Sequence, residues 1–313
     1  MKTTDDIETI SIETLADWKR NKQAFHLIDT LPEENYQSVH IPGAINACVY
    51  EVNFMKKIRE LLPDPLEGVV LYGNGGKSMD AITAAGKLNR QGYRKVFVFT
   101  GGLRQWCTAG YEVIGEAISV SDDREPAYVL EEGRYHVETA ESRISWTGRN
   151  ANGAHTGTME IAEGEVNAYN GEIAGVMDVD MTSISNIDLE GDEYQPVLID
   201  HLESDDFFFI NLFPTAQFYF TSVTPIPEAT PTEPNYAVNG RLKIRGIGKS
   251  IEFQATVNPL PENRVAAQAG FDIDRTNWGI IYGSTRFFDH LGKHKVYDHI
   301  SFDVRLVLVR DDA

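Results

Sequence analysis

The spacing of apolar residues changes once along the chain, and that change constrains the architecture more than any other feature. Up to about residue 115, short apolar runs alternate with helical patterns. Phe25 to Asp29 (FHLID), Val69 to Tyr72 (VVLY) and Val96 to Phe99 (VFVF) read as buried strands. Between the last two, Met79 to Gln91 carries Ile82, Ala85 and Leu88 at helical spacing. Ser78 is placed to cap the start of that helix and Gly92 to end it. Strand, helix and strand at this spacing predict a crossover between parallel strands. After about residue 128 the period becomes two. Ile251, Phe253, Ala255 and Val257 alternate with polar residues, and Ile300, Phe302, Val304, Leu306 and Leu308 form the apolar register of a final strand. Gly171 to Met181 and Thr215 to Val223 repeat the pattern. One helix is expected near Pro196 to Ser204, with Leu198, Ile199 and Leu202, and Pro225 to Pro234 reads as a proline-rich hairpin loop. Many alternating strands with few helices predict an antiparallel sheet, closed or strongly curled.

The chain thus divides into an α/β domain over residues 1–115, with a parallel sheet flanked by helices, and an all-β antiparallel barrel over 128–313. Residues 116–127, polar and acidic, read as a linker. A length of 313 residues suits two cores better than one. Charge is divided unequally. Residues 1–120 hold 15 acids and 13 bases, net -2, and residues 121–313 hold 32 acids and 15 bases, net -17. An acidic surface of this kind repels nucleic acid and anionic membranes and favours solubility, so no nucleic-acid partner is expected. No apolar run approaches the roughly 18 residues of a spanning helix, so the protein is not expected to span a membrane. Met1 to Glu13 lacks the basic start and apolar stretch of a secretory signal, which makes the cytoplasm the expected location. Two cysteines, Cys48 and Cys107, give neither a disulfide framework nor zinc spacing.

Three separated motifs in the first domain carry a resemblance. Leu27-Ile28-Asp29, His40-Ile41-Pro42-Gly43-Ala44, and Gly101-Gly102 with Trp106 and Gly110-Tyr111 resemble the rhodanese family in order and spacing, over roughly residues 8–115. The resemblance implies a loop between a strand and a helix N-terminus that opens on a cysteine, whose thiolate takes up sulfur as a persulfide. Here the corresponding loop is Gly73, Asn74, Gly75, Gly76, Lys77 and Ser78, and Gly73 stands at the cysteine's position. The loop is about one residue short, and Lys77 stands where an arginine is common. Neither Cys48 nor Cys107 is placed by sequence to substitute. No sulfurtransferase activity is therefore expected, and no catalytic residue is assigned. The backbone N–H groups of Gly73 to Ser78, ahead of a helix, remain candidates for binding an anion, against the simpler reading that they close a turn.

The second domain resembles the YceI family of lipocalin-like barrels. The resemblance rests on Tyr135-His136-Val137 with Ser142-Arg143-Ile144, and on Gly157-Thr158 with Gly164-Glu165-Val166. It continues in Asp200-His201-Leu202 with Ser204, Asp206-Phe207-Phe208, and Phe213-Pro214-Thr215-Ala216 with Phe218. Asn239 to Gly246 and Asp274-Arg275 with Trp278-Gly279 complete it. It implies an elongated barrel with an apolar interior and binding of isoprenoid chains, such as polyprenyl phosphates or quinones. Aromatic residues are dense here: Trp146, Phe207, Phe208, Phe209, Phe218, Phe220, Phe253, Phe271, Trp278, Phe287 and Phe288. Each methylene of a buried tail contributes about 0.8 kcal/mol, so a long tail binds well without polar contacts.

Candidate ligand-binding residues are Trp146, His155, His201, Phe207, Phe218, Phe220, Phe253, Phe271, Arg275 and Trp278. His155 and His201 are candidates for a head group. Arg275 is a candidate for a phosphate, or for a structural pair with Asp274 or Asp272. Arg241, Lys243 and Arg245 share an exterior face. His290, His294 and His299 suggest a metal, but their spacing among Gly292 and Val296-Tyr297 reads better as a solvated loop, and no metal or cofactor is expected. The expected function is a non-catalytic carrier of an isoprenoid or other long-chain apolar lipid, with the rhodanese-like module recognising a partner protein or an anion; a homodimer is left open. Two alternatives stand beside it: a sulfurtransferase or phosphatase-like enzyme of the rhodanese fold, and an interaction scaffold whose barrel is packed solid.

Overall fold

The structure is a computed structural model that describes residues 7–115 and 127–311. The expected linker falls almost wholly outside the described residues. The chain forms two compact units that divide between residues 122 and 123.

The first unit runs β1 (Glu8–Ile10), α1 (Ile12–Arg20), β2 (His26–Asp29), α2 (Glu33–Ser38), β3 (Val39–His40), β4 (Ala44–Asn46), α3 (Phe54–Leu61), β5 (Gly68–Tyr72), α4 (Asp80–Arg90), β6 (Lys95–Phe99), α5 (Gly102–Thr108) and β7 (Ile114–Gly115). Five strands make one parallel sheet in the order β1-β6-β5-β2-β4. Two apolar clusters form the core. One includes Ile28, Val69, Leu71, Ala84, Leu88 and Val98, and the other Leu15, Leu27, Ile41, Val70, Tyr72 and Trp106. Both faces of the sheet are covered, which is why its strands read as unbroken apolar runs rather than alternations.

The motifs of this domain act as joints. Asp29, buried at the end of β2, accepts the Leu31 N–H at 2.8 Å, and burial raises its pKa. Tyr72 accepts the Ile41 N–H at 3.1 Å, and Trp106 donates to the Glu112 carbonyl at 2.8 Å while stacking on Tyr111. One detail differs from expectation. Ser78 does not cap α4. Met79 occupies the cap without a side-chain bond, and the Ser78 hydroxyl turns to the Asp80 carboxylate at 2.5 Å.

The second unit runs β8 (Gly133–Val137), β9 (Arg143–Arg149), β10 (Ala154–Tyr169), β11 (Glu172–Asp180), α6 (Gln195–Glu203), β12 (Thr215–Pro225), β13 (Tyr236–Ile244), β14 (Ile247–Leu260), β15 (Arg264–Asp274) and β16 (His299–Arg310). The strands pair antiparallel in sequence order from β10 to β16. Two short strands, β8 and β9, each pair with both β10 and β16 and so close the barrel by sharing one strand position. This is an eight-position closed barrel of the lipocalin-like kind, and closure leaves no sheet edge. The Gly157-Thr158 motif has a steric cause: a Cβ at Gly157 would stand 1.7 Å from the Ser185 carbonyl oxygen, so only glycine lets that segment lie across β10. Thr158 and Trp146 then hold the same segment, through the Ser185 hydroxyl at 2.8 Å and the Ser185 carbonyl at 3.2 Å. Among the described residues, no helix is long and apolar enough to cross a membrane.

Candidate functional site

The inward register of the barrel is the apolar one expected from the sequence. Ile251, Phe253, Ala255 and Val257 on β14, and Phe302, Val304, Leu306 and Leu308 on β16, all face one interior cavity of about 150 Å³. Phe218 and Phe220 on β12 and Phe271 on β15 complete an aromatic row across its wall. Ring centroids lie 4.8 Å apart for Phe218–Phe220, 5.7 Å for Phe218–Phe253, 4.4 Å for the stacked pair Phe253–Phe271, and 5.9 Å for Phe271–Phe302. Apart from Gln268 and Tyr236 the wall is built from apolar residues and offers almost nothing to a polar ligand. The Tyr236 hydroxyl is already engaged, accepting the Leu130 N–H at 2.8 Å.

A second cavity, about 250 Å³, adjoins the first, and Met159, Phe208 and Phe302 line both. Its lining is mixed. Trp146, Leu198, Leu202 and Phe207 supply apolar surface, and Arg149, His155, His201, Lys293, His294 and Lys295 supply polar and basic groups. His155 pairs with Asp188 at 2.8 Å. Burial would push the Asp188 carboxyl up, but the Thr156 N–H, His155 and Asn186 outweigh it and hold the pKa below the usual aspartate value. His201 packs edge-on against Phe207 and Tyr282, with Asp206 at 3.3 Å. Together the two volumes reach the lower end of the roughly 300–1,000 Å³ common for small-molecule sites.

The predicted barrel residues thus divide between two chambers. Phe218, Phe220, Phe253 and Phe271 line the apolar one, while Trp146, His155, His201, Phe207 and Arg275 line the mixed one. Trp278 lines neither; it is buried and donates to the Leu242 carbonyl at 3.0 Å. Arg275 is fully buried and committed to the backbone. Its guanidinium donates to the carbonyls of Tyr297, Ile280, Tyr282 and Val296 at 2.6 to 3.1 Å, and its nearest carboxylate is Asp298, at 3.8 Å, rather than Asp274 or Asp272. Burial lowers its pKa, with Asp298 and Asp274 opposing. Phe209, Phe287 and Phe288 lie outside the interior: Phe209 packs on Phe213, and Phe287 and Phe288 face solvent. Period-two alternation cannot place these three, because they sit on turns and loops. Among the described residues, no group of three His, Cys, Asp or Glu could hold a metal ion.

In the first domain, the loop Gly73 to Ser78 lies against the start of α5. The Gly73 and Asn74 carbonyls accept the N–H groups of Leu103 and Arg104 at 2.9 and 3.1 Å. Gly75, at φ +95°, stands so close to the backbone of Gly101-Gly102 that a Cβ on it would come within 2.0 Å of the Gly101 oxygen. A residue missed by sequence reading, Asp80, organises the rest. The residue is 3% exposed, and its carboxylate accepts the Asn74 N–H at 3.1 Å, the Ser78 hydroxyl, and the Tyr50 hydroxyl. Burial and then Asp80 push the Tyr50 pKa up to about 12. A carboxylate in the first turn of α4 also suits the helix dipole. A side chain on Gly73 would collide with it. Cys48 is buried beyond β4 and influences the Tyr50 hydroxyl electrostatically; burial raises the Cys107 thiol, which disfavours a reactive thiolate.

The comparisons with known proteins agree with this division. A model of the YceI-like domain matches residues 135–308, and one of the Rhodanese-like domain matches residues 11–109. A curated HTH-type transcriptional regulator of Mycobacterium tuberculosis is 33% identical over 102 residues, covering 32% of this chain, and the chain spans 43% of that relative's length. Among solved structures, BcnA of Burkholderia cenocepacia is 19% identical and covers 55% of this chain and 98% of its own, at TM-score 0.44. A polyisoprenoid binding domain from Saccharophagus degradans, implicated in plant cell wall breakdown, is 16% identical and covers 56% of this chain and 98% of its own, at TM-score 0.39. A rhodanese with anions from E. coli is 31% identical over 30% of this chain and 100% of its own, at TM-score 0.25. The chain therefore belongs to the YceI-like family, its barrel preceded by a rhodanese-like domain.

Proposed function

We propose that the protein is a non-catalytic carrier of a long-chain apolar lipid of the isoprenoid type, held with its tail in the barrel. The observation that carries this is the interior chamber, whose wall is a continuous aromatic and aliphatic surface. Such a wall selects for methylene and methyl groups and penalises an unpaired polar group. The adjoining chamber, with Arg149, His155 and His201, suits the polar head, whether a phosphate or a quinone ring. Mass spectrometry of an organic extract of the purified protein tests the reading. An isoprenoid at near-stoichiometric amount is the expected result. An empty extract, together with no uptake of a fluorescent polyprenyl probe, overturns it in favour of a scaffold.

In this reading the rhodanese-like domain performs no sulfur transfer and recognises a partner protein. Gly73 offers no nucleophile, and the loop N–H of Asn74 is already engaged by an internal anion, the Asp80 carboxylate, which favours a protein partner over a free anion. The test is a thiosulfate-to-cyanide assay, with background rates expected. Turnover above background that disappears in Cys48→Ser overturns this part.

A further inference from the structure

The exposed Phe287 and Phe288 belong to a loop, residues 284–297, within the connection from the end of β15 at Asp274 to the start of β16 at His299. The Val296 N–H donates to the Gly283 carbonyl at 3.0 Å, closing the base of the excursion. Buried Arg275 clamps both sides through the Tyr282 and Val296 carbonyls. Within it Phe287 is 49%, Phe288 43% and Tyr297 52% exposed. About half of each ring is left in water, and the Arg286 guanidinium lies 5.9 Å from the centre of the Phe287 ring. The same segment carries Arg286, Lys293 and Lys295 against one acid, Asp289, in a half of the chain whose net charge is -17. Arg286 is engaged by Asp274 at 2.6 Å. Among the described residues, Lys293 and Lys295 form no ion pair, and Arg149, joined to the segment through the Tyr297 N–H at 2.9 Å, donates to the Ser301 hydroxyl rather than to a carboxylate. Lys293, Lys295 and Tyr297 line the mixed chamber.

We propose that segment 284–297 docks the rim of this chamber onto an anionic lipid bilayer. Exposed rings flanked by unpaired lysines form the pattern that seats a surface segment at the boundary between head groups and acyl chains, with the cations meeting anionic lipid. The general acidity of the domain does not prevent this. At physiological ionic strength charges are screened over about 8 Å, so a bilayer in contact with the segment feels Arg149, Lys293 and Lys295, set against Asp289 and Asp298, more than the carboxylates elsewhere on the domain. The bilayer matches both features, apolar depth and negative surface charge, whereas an acidic protein partner would match the lysines alone. Docking needs no occupied barrel and so goes beyond the carrier reading.

Vesicle flotation of the full chain tests it, with vesicles of phosphatidylcholine alone and vesicles containing about one third phosphatidylglycerol. The protein is expected to float with the anionic vesicles and far less with the neutral ones, and to be released by added salt. Lys293→Glu with Lys295→Glu should weaken flotation at least tenfold, about fivefold being the loss per cation removed. Phe287→Ser with Phe288→Ser should weaken it to a similar extent, and neither pair, being exposed, should move the unfolding midpoint. Flotation with neither composition, equal flotation with both, or wild-type behaviour of both variants would overturn the assignment; the first leaves a protein as the occupant. The organic extract, measured separately, reports on the carrier reading alone.

Discussion

The side chain of Asp80 stands where a side chain on residue 73 would have to be. A Cβ built on Gly73 would lie 2.5 Å from the Asp80 Cβ and 2.6 Å from its Oδ2. Glycine at 73 and aspartate at 80 are thus mutually dependent. Gly73→Cys should destabilise the domain by roughly 1–3 kcal/mol, the usual cost of overpacking. Adding Asp80→Ala, which removes the Oδ2 and Cγ contacts but keeps the Cβ one, should recover part of that, with a coupling of about 0.5–3 kcal/mol in a double-mutant cycle of urea unfolding. Additive losses would show that the two side chains do not compete.

A hollow barrel and a solid one respond differently to added volume. Ala269, on β15, faces the apolar chamber. Ala269→Trp should leave unfolding free energy within about 1.5 kcal/mol of wild type, since volume enters a void rather than a packed core. Lipid recovered in an organic extract should fall more than tenfold. A protein that unfolds instead would indicate a filled interior.

Arg275 is buried with four carbonyls depending on it. Removing one partner of a buried charged network costs about 3–5 kcal/mol, because the groups left behind remain unpaired. Arg275→Met should lose that much in denaturant unfolding and should expose segment 284–297 to limited proteolysis. Arg275→Lys should rescue little, since an ammonium cannot span acceptors on both sides of the segment.

Asp274 gives a pH-dependent contribution. Burial pushes its carboxyl up, but Thr276 and then Arg286 outweigh burial, and the pKa is lowered in the folded state. The unfolded chain then binds the proton more readily, so this stabilisation is present above the ordinary aspartate pKa, about 3.9, and is lost as pH falls through the lower folded value. Arg286 is half exposed, so Arg286→Ala should cost less than about 1 kcal/mol at pH 7. The difference from wild type should shrink as acid protonates Asp274. Urea midpoints at pH 7 and near pH 3 measure it, and a gap that widens in acid would contradict the assignment.

Local rules on residue type and period were sufficient for much of this protein. The switch from helical spacing to alternation fixed the two architectures, because burial on one helix face or one strand face must repeat at 3.6 or 2 residues. It also fixed which residues of β14 and β16 point inward, and Gly73 was plain as the residue opening the loop. Only the tertiary structure revealed the contacts between residues far apart in sequence. It brought Tyr50 to Asp80, sent the Arg275 guanidinium to carbonyls rather than to a ligand, divided the second domain's dense aromatic residues between interior and solvent, and left two lysines unpaired at a cavity rim. A side chain's partners depend on where the closed sheet and its loops place it in space, and no period along the chain encodes that distance.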